Sequence, residues 1–308
     1  MTDGQVRHTA AERKRVNMSQ VLDSLRAAIE AAGARFYRLA VWQGGTYEQH
    51  DFCPMSSCAN IYSISKCLTA TGVGLAADRG LLGIDDPVRP YLEQWVDAWP
   101  EGVPADLAVR HLLTQTAGIA RGSLFEGDRY EEPGDDWIGR VLSRPFPHRP
   151  GTFFAYDNGN YYLLSCIVEA ASGETLDVFL RKHLFDELDM PEFAWERCPR
   201  GHVMGATGCY MRADELVKLG RLYLQDGEWG GRRVLSSAFI REAGTPCPAG
   251  GAERYGFSLR CMDNGDVYAP GAHNQILYIS RACGAVAVLQ GFDETLDLPG
   301  LIASALRG

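Results

Sequence analysis

Apolar positions recur with a helical period over residues 18–32. Val21, Leu22, Leu25, Ala28 and Ile29 share one face, and Gly33 ends the run. The period falls to two in RFYRLAVWQGGTYEQHDF, which predicts a hairpin with Tyr37, Leu39 and Val41 on one face and Gly44-Gly45 at the turn. Helical signals dominate from Ser63 to about Phe185: residues 63–79 closed by Gly80, a short helix opened by Asp86-Pro87, then 106–114, 135–142, 160–171 and 174–185. Gly118, Pro133-Gly134, Pro150-Gly151 and Gly173 punctuate the gaps. Residues 212–225 form another helix, with Leu216, Leu219, Leu222 and Tyr223 on its inner face. The period then returns to two: YGFSLRCM, a turn at Asn264-Gly265, DVYAPG, QILYIS and AVAVLQ read as strands, and LDLPGLIASALR closes as a helix.

Strands thus lie at both ends of the chain and helices in the middle. The simplest assembly is an α+β fold, an antiparallel sheet flanked by the first and last helices, with a mainly helical lobe inserted between its strands. The expected division is a sheet lobe from residues 18–75 and 205–308, a helical lobe from 76–204, and a flexible leader over 1–17. Clefts favour junctions between lobes, and Ser63 falls where the chain passes from strands into helices, so the site is expected there.

Composition narrows the function classes. With 30 basic against 39 acidic residues the formal charge is −9, which argues against nucleic acid or an anionic membrane as partner. No apolar run approaches the ~20 residues of a membrane span. The polar leader lacks the apolar core of a secretory signal, so a cytoplasmic location is expected. The nine cysteines are irregularly spaced without a C-x-x-C pair, which suits buried thiols better than a disulfide framework or zinc site, with Cys53–Cys58 the one plausible pair. H-E-x-x-H, G-x-S-x-G, G-x-G-x-x-G and Walker patterns do not occur. No metal or cofactor is expected, the partner is a small molecule, and the oligomeric state is not legible.

The candidate chemistry begins at Ser63-Ile64-Ser65-Lys66. Residues i and i+3 share a helix face, so Lys66 reaches the Ser63 hydroxyl. A lysine desolvated in a cleft near a helix N-terminus is pushed toward its neutral form and becomes a competent base, which arginine cannot. The chain has only four lysines against 26 arginines. Taken alone, the motif is weak, and a partly exposed lysine on an ordinary helix is the commoner source of such spacing. A second element, Tyr156-Asp157-Asn158, sits in a Gly-rich turn before a helix. The phenol can relay protons to a leaving group and Asn158 can hold the lysine and a substrate amide, although a packed tyrosine beside a turn-forming Asx gives the same letters. In the third, Pro270-Gly271-Ala272, Gly271 permits close backbone approach, and the amides of Ala272 and Ser63 can stabilise an oxyanion. His273 adds a possible polar contact. His111, on an apolar helix, reads as a hydrogen-bonded core residue.

With these residues in view, the chain resembles the serine hydrolases of the class C β-lactamase and penicillin-binding-protein superfamily, from about residue 18 to the end. YSISKCLTATGVGLAADRGLLGIDDPVRPYL is similar to the nucleophile helix and the turn after it. LAVRHLLTQTAGI, RPGTFFAYDNGNYYLLSCIVEAASGETLDVFLRKHLFDELDM and MRADELVKLGRLYLQDGEWGGRRVLS are similar to later blocks. The resemblance implies Ser63 as acyl-accepting nucleophile, Lys66 as its base, Tyr156 as proton shuttle and Asn158 as the group orienting Lys66 and substrate, with the Ser63 and Ala272 amides facing the oxyanion. One departure matters. Where the family's β-lactamases and peptidases carry Lys-Thr-Gly, this chain has Ala269-Pro270-Gly271. The carboxylate anchor is gone and the proline removes a donor. The expectation is therefore an esterase or small-amide hydrolase working through an acyl-enzyme. The alternatives are a β-lactamase or D-amino-acid peptidase of the same fold, and a non-catalytic ligand-binding module. The segments CPMSSCA and RGSLFEGDRYEEPGDDW are expected at the rim of the pocket.

Overall fold

The computed structural model describes residues 18–131 and 134–308; the expected flexible leader over 1–17, and Pro133, lie outside the described residues. The chain opens with helix α1 (Met18–Ala31) and the hairpin β1 (Phe36–Gln43) and β2 (Thr46–Asp51), followed by the short strand β3 (Ala59–Asn60). A single 3-10 turn, Tyr62–Ile64, leads into α2 (Ser65–Asp78). Then come α3 (Arg89–Leu92), α4 (Val109–Leu113), α5 (Glu126–Glu131), α6 (Trp137–Leu142), α7 (Asn158–Ser172), α8 (Leu176–Leu180) and α9 (Asp186–Leu188). Strands β4 (Phe193–Trp195) and β5 (Cys209–Met211) precede α10 (Ala213–Leu224), the small hairpin β6 (Glu228–Trp229) and β7 (Arg232–Arg233), and α11 (Ser237–Ala243). The chain closes with β8 (Arg260–Cys261), β9 (Val267–Gly271), β10 (Gln275–Ser280), β11 (Ala285–Gly291) and α12 (Leu298–Arg307).

The main sheet is antiparallel with strand order β2-β1-β11-β10-β9-β8, so the two chain ends meet where β1 pairs with β11. Its central strands are buried on both faces, which is why QILYIS and AVAVLQ are nearly continuous apolar runs. On one face Leu39, Val41, Ile276, Tyr278 and Leu289 pack with Val21, Leu25 and Ile29 of α1 and Ile302 of α12. On the other, Ala40, Leu277, Ile279, Val286 and Val288 join the larger core built with α2, α7 and α10. Gly220 lets α10 lie close on the sheet, because a Cβ there would stand 2.5 Å from Val286 Cγ1. Helix α2 is the centre of that larger core. All its residues from Ser65 to Ala76 are buried. Gly72 admits Leu176 and Gly74 admits Phe239 against its backbone.

Several expectations shift. A register irregularity in β1 between Phe36 and Arg38 makes Phe36, not Tyr37, the partner of Leu39 and Val41 on the outer face. The predicted helix over 63–79 begins as the 3-10 turn that holds Ser63. Pro87 pairs with Ala108 in an isolated bridge, and Pro90 takes the early helical position instead. The helix expected from 160 starts at Asn158, because Asp157 caps it by accepting from Gly159 N. The helix expected over 174–185 breaks after Leu180 into a π-helical turn, Arg181–Phe185. All nine cysteines are unpaired thiols, five of them buried. Among the described residues no helix is long and apolar enough to cross a membrane.

Candidate active site

Ser63 sits between a strand end and a helix, and its turn is held from several sides. Tyr62 N donates to Asn60 Oδ1 at 2.8 Å, Ile61 N donates to Cys209 O at 2.8 Å, and Gln275 Nε2 donates to Asn60 O at 2.8 Å. Tyr62 itself has a positive φ of 45°. Lys66, in the first turn of α2, is 1% exposed. Its Nζ lies 3.0 Å from Ser63 Oγ, 2.7 Å from Asn158 Oδ1 and 2.8 Å from Ala206 O. Burial pushes the Lys66 pKa below the ordinary lysine value, Tyr156 opposes that shift, and the positive charge of Arg129 adds to it. A neutral amine has two N–H donors and one lone pair. In a neutral Lys66, Asn158 Oδ1 and the Ala206 carbonyl would take the two donors, which leaves the lone pair facing Ser63 Oγ.

The Tyr156 loop is pinned by Gln115. Its Oε1 accepts from Asp157 N at 3.1 Å and Asn160 Nδ2 at 2.7 Å, its Nε2 donates to Asp157 O at 3.1 Å, and its backbone carbonyl accepts from Ala155 N at 3.0 Å. The Tyr156 ring centroid is 4.8 Å from Lys66 Nζ. Asn158 Nδ2 donates to Leu124 O at 3.1 Å, which turns its Oδ1 toward the lysine. Asp157 is fully buried and accepts from Ser123 Oγ at 2.9 Å and Gly159 N at 3.0 Å, with Arg144 Nη1 3.5 Å from its other oxygen. Burial raises its pKa, against the Arg144 charge and the Ser123 and Gly159 donors that pull it down.

On the opposite wall, β9 ends against the serine turn. A Cβ on Gly271 would meet Ile61 O at 2.8 Å and Ile64 Cγ1 at 3.4 Å, so only glycine lets the strand come this close. Ser63, Tyr156, Asn158, Gly271, Ala272 and His273 line one cleft of about 710 Å³, and Lys66 is buried beneath it. Phe125, Glu126 and Arg129 of the expected rim segment also line it, whereas none of residues 53–59 does. His273, at φ 59°, stacks on Phe292 with centroids 3.8 Å apart and meets Tyr62 edge-on at 5.0 Å. Two guanidinium groups border the cleft and both have carboxylate partners: Arg129 bonds Glu196 at 2.6 Å and Arg260 bonds Glu253. His111 Nδ1 accepts from Ala108 N at 3.0 Å at the start of α4, outside the cleft lining.

Sequence reasoning missed Ala206, Gln115 and Leu124. Ala206 and Leu124 contribute backbone carbonyls, which leave no mark in residue identity. The one available signal was Gly205-Ala206-Thr207-Gly208: both glycines have positive φ, and a Cβ on Gly205 would sit 2.4 Å from Tyr161 O.

This sheet flanked by helices, with a serine–lysine pair at its edge, is the β-lactamase/transpeptidase fold. A sequence profile of the beta-lactamase family matches residues 39–290, and the chain belongs to that family. It is 29% identical over 215 residues to penicillin-binding protein 4 of Amycolatopsis lactamdurans, covering 57% of this chain and 53% of that one. It is 28% identical over 127 residues to esterase EstB of Burkholderia gladioli, covering 37% and 32% of the two chains. The chain spans about half or less of the length of the curated relatives it matches. The crystal structure of a D-stereospecific amidohydrolase from Streptomyces superposes with a TM-score of 0.72 at 18% identity, covering 94% of this chain and 98% of that one.

Proposed function

We propose that the protein is a serine hydrolase acting through an acyl-enzyme on an ester or small amide, in a site between the sheet lobe (18–75 and 205–308) and the helical lobe (76–204). Lys66 takes the Ser63 proton as Oγ attacks the carbonyl, and the amides of Ser63 and Ala272 face the developing oxyanion. Tyr156 passes a proton to the departing alcohol or amine, after which water, deprotonated by the same groups, releases the acid and restores Ser63. Asn158 orients Lys66 and the substrate, while Gly271 and His273 shape the wall opposite. The observation that carries this reading is the buried Lys66 Nζ, 3.0 Å from Ser63 Oγ with its remaining partners satisfied.

Esters and small amides are favoured over β-lactams. The third strand lacks the lysine that would anchor a carboxylate, and the two cleft guanidiniums are already paired. A fluorophosphonate probe followed by intact mass tests the reading. One adduct is expected on the wild type and none on Ser63→Ala or Lys66→Ala. A folded wild type that stays unmodified would instead support a non-catalytic binding module. Rapid penicillin or cephalosporin turnover without activity on short esters would reverse the substrate preference.

A further inference from the structure

The cleft mouth is unusually aromatic. Eight large hydrophobic side chains are exposed among the described residues; two of them border this opening, Phe125 at 41% and Tyr210 at 39%, and a third, Phe292 at 43%, stacks on the lining residue His273. Phe125 and Tyr210 line the cleft directly, and Phe292 backs the lining residue His273. Tyr62, His273 and Phe292 form a continuous row of rings with successive centroids 5.0 and 3.8 Å apart. The far end of the row is fixed by Arg35, whose carbonyl accepts from Phe292 N at 2.8 Å and whose guanidinium lies 5.9 Å from the Phe292 ring.

The backbone beneath this row is strained. Tyr62 and His273 have φ of 45° and 59°, a region that glycine occupies freely and bulky residues avoid. Aromatic side chains are nevertheless held at both positions, beside Ser63 and Ala272. Strain of this kind gathers where a side chain must face a ligand. The paired state of Arg129 and Arg260 leaves the rings, rather than a free cation, as the distinctive recognition surface.

We propose that the cleft selects substrates bearing an aryl group, which packs against the Tyr62–His273–Phe292 wall. This specificity rests on the hydrolase reading above. Stacked or edge-on ring pairs add about 2- to 10-fold in affinity beyond the area they bury.

The test compares ethyl phenylacetate with ethyl cyclohexylacetate, and benzyl acetate with cyclohexylmethyl acetate, by pH-stat. Each pair has similar size and differs in aromaticity. The aryl member is expected to lead by about 5-fold or more in kcat/KM in at least one pair, mainly through KM. That ratio is expected to fall below about twofold in His273→Ala and in Phe292→Ala. Ratios near one in both wild-type pairs, or a preference that survives both variants, would overturn the proposal. Binding to Ser63→Ala, followed by ligand-observed NMR with phenylacetamide and cyclohexylacetamide, separates this from the hydrolase reading. An aryl preference there, in a protein that fails the fluorophosphonate test, sinks only the hydrolase reading. Equal binding of the two amides, in a protein that does form the Ser63 adduct, sinks only the aryl wall.

Discussion

Replacing Asn158 by aspartate changes one heavy atom of the site and reverses the electrostatics around Lys66, the proposed base. Asn158 Oδ1 stands 2.7 Å from Lys66 Nζ. A carboxylate oxygen there would attract the ammonium by about 1.5 kcal/mol even at the dielectric constant of water, and by several times more at an effective value near 20. Since about 1.4 kcal/mol corresponds to a tenfold change in a protonation equilibrium, the added carboxylate raises the lysine's pKa and favours its charged form. The wild-type lysine is held low by burial, so it is lost as a base only when pH falls through that depressed value. In Asn158→Asp the same acid limb moves to higher pH. The expected result is a loss in kcat/KM of about 10-fold or more on the acid limb, with substantial recovery as pH is raised. Asn158→Ala is the control: it removes an acceptor without adding charge, so its activity falls without an upward move of the limb. Profiles of kcat/KM against pH on a short ester would decide the matter. A uniform loss for Asn158→Asp across the whole range, with the limb unmoved, would refute the assignment of Lys66 as the base.

Three further outcomes follow from the geometry. Gly271→Ala places a methyl 2.8 Å from Ile61 O, so β9 must withdraw from the serine turn; kcat is expected to fall by about 100-fold, with the Tm lowered by only a few degrees, as measured by ester kinetics and calorimetry. Asp157→Ala leaves the buried Ser123 and Gly159 donors without an acceptor and uncaps α7; urea unfolding is expected to show a loss of at least about 2 kcal/mol. His111, half-buried, has its pKa lowered chiefly by burial, and it must be neutral for Nδ1 to accept from Ala108 N. The unfolded chain therefore binds a proton at this site before the folded one does, and stability falls as pH drops through 6.5, the ordinary histidine value. The fall in Tm between about pH 7.5 and 5.5 is expected to be smaller in His111→Ala than in wild type, and equal falls would count against the Nδ1 acceptor role.

The elements most legible in the sequence are those with one apolar face and one wet face. Helices α1 and α10 show their burial as a helical period, and the β1–β2 hairpin shows its turn glycines. Helix α2 is different. Buried all round, it carries no amphipathic signal, and only the Ser63–Lys66 spacing and the family resemblance mark it. The three-stranded sheet of β3, β5 and β4 escaped notice because strands of two or three residues are too short to express a period. The exchange of Tyr37 for Phe36 comes from one irregular step in β1 pairing, which residue alternation cannot register. At the site, side-chain chemistry pointed to Ser63, Lys66, Tyr156 and Asn158, and all four lie together. The groups that hold them, the Ala206 and Leu124 carbonyls and the Gln115 side chain, belong to conformation rather than composition.

Helix α2 also bears on how this fold can be redesigned. With Gly72 and Gly74 already closed against Leu176 and Phe239, almost any enlargement along this helix displaces a neighbour. Libraries that vary residues 65–76 should therefore yield mostly misfolded clones. Phe125, Tyr210 and His273 border the same chamber from outside that packing, where substitution disturbs far less. New selectivity is best sought at the mouth, with the helix kept as an invariant chassis.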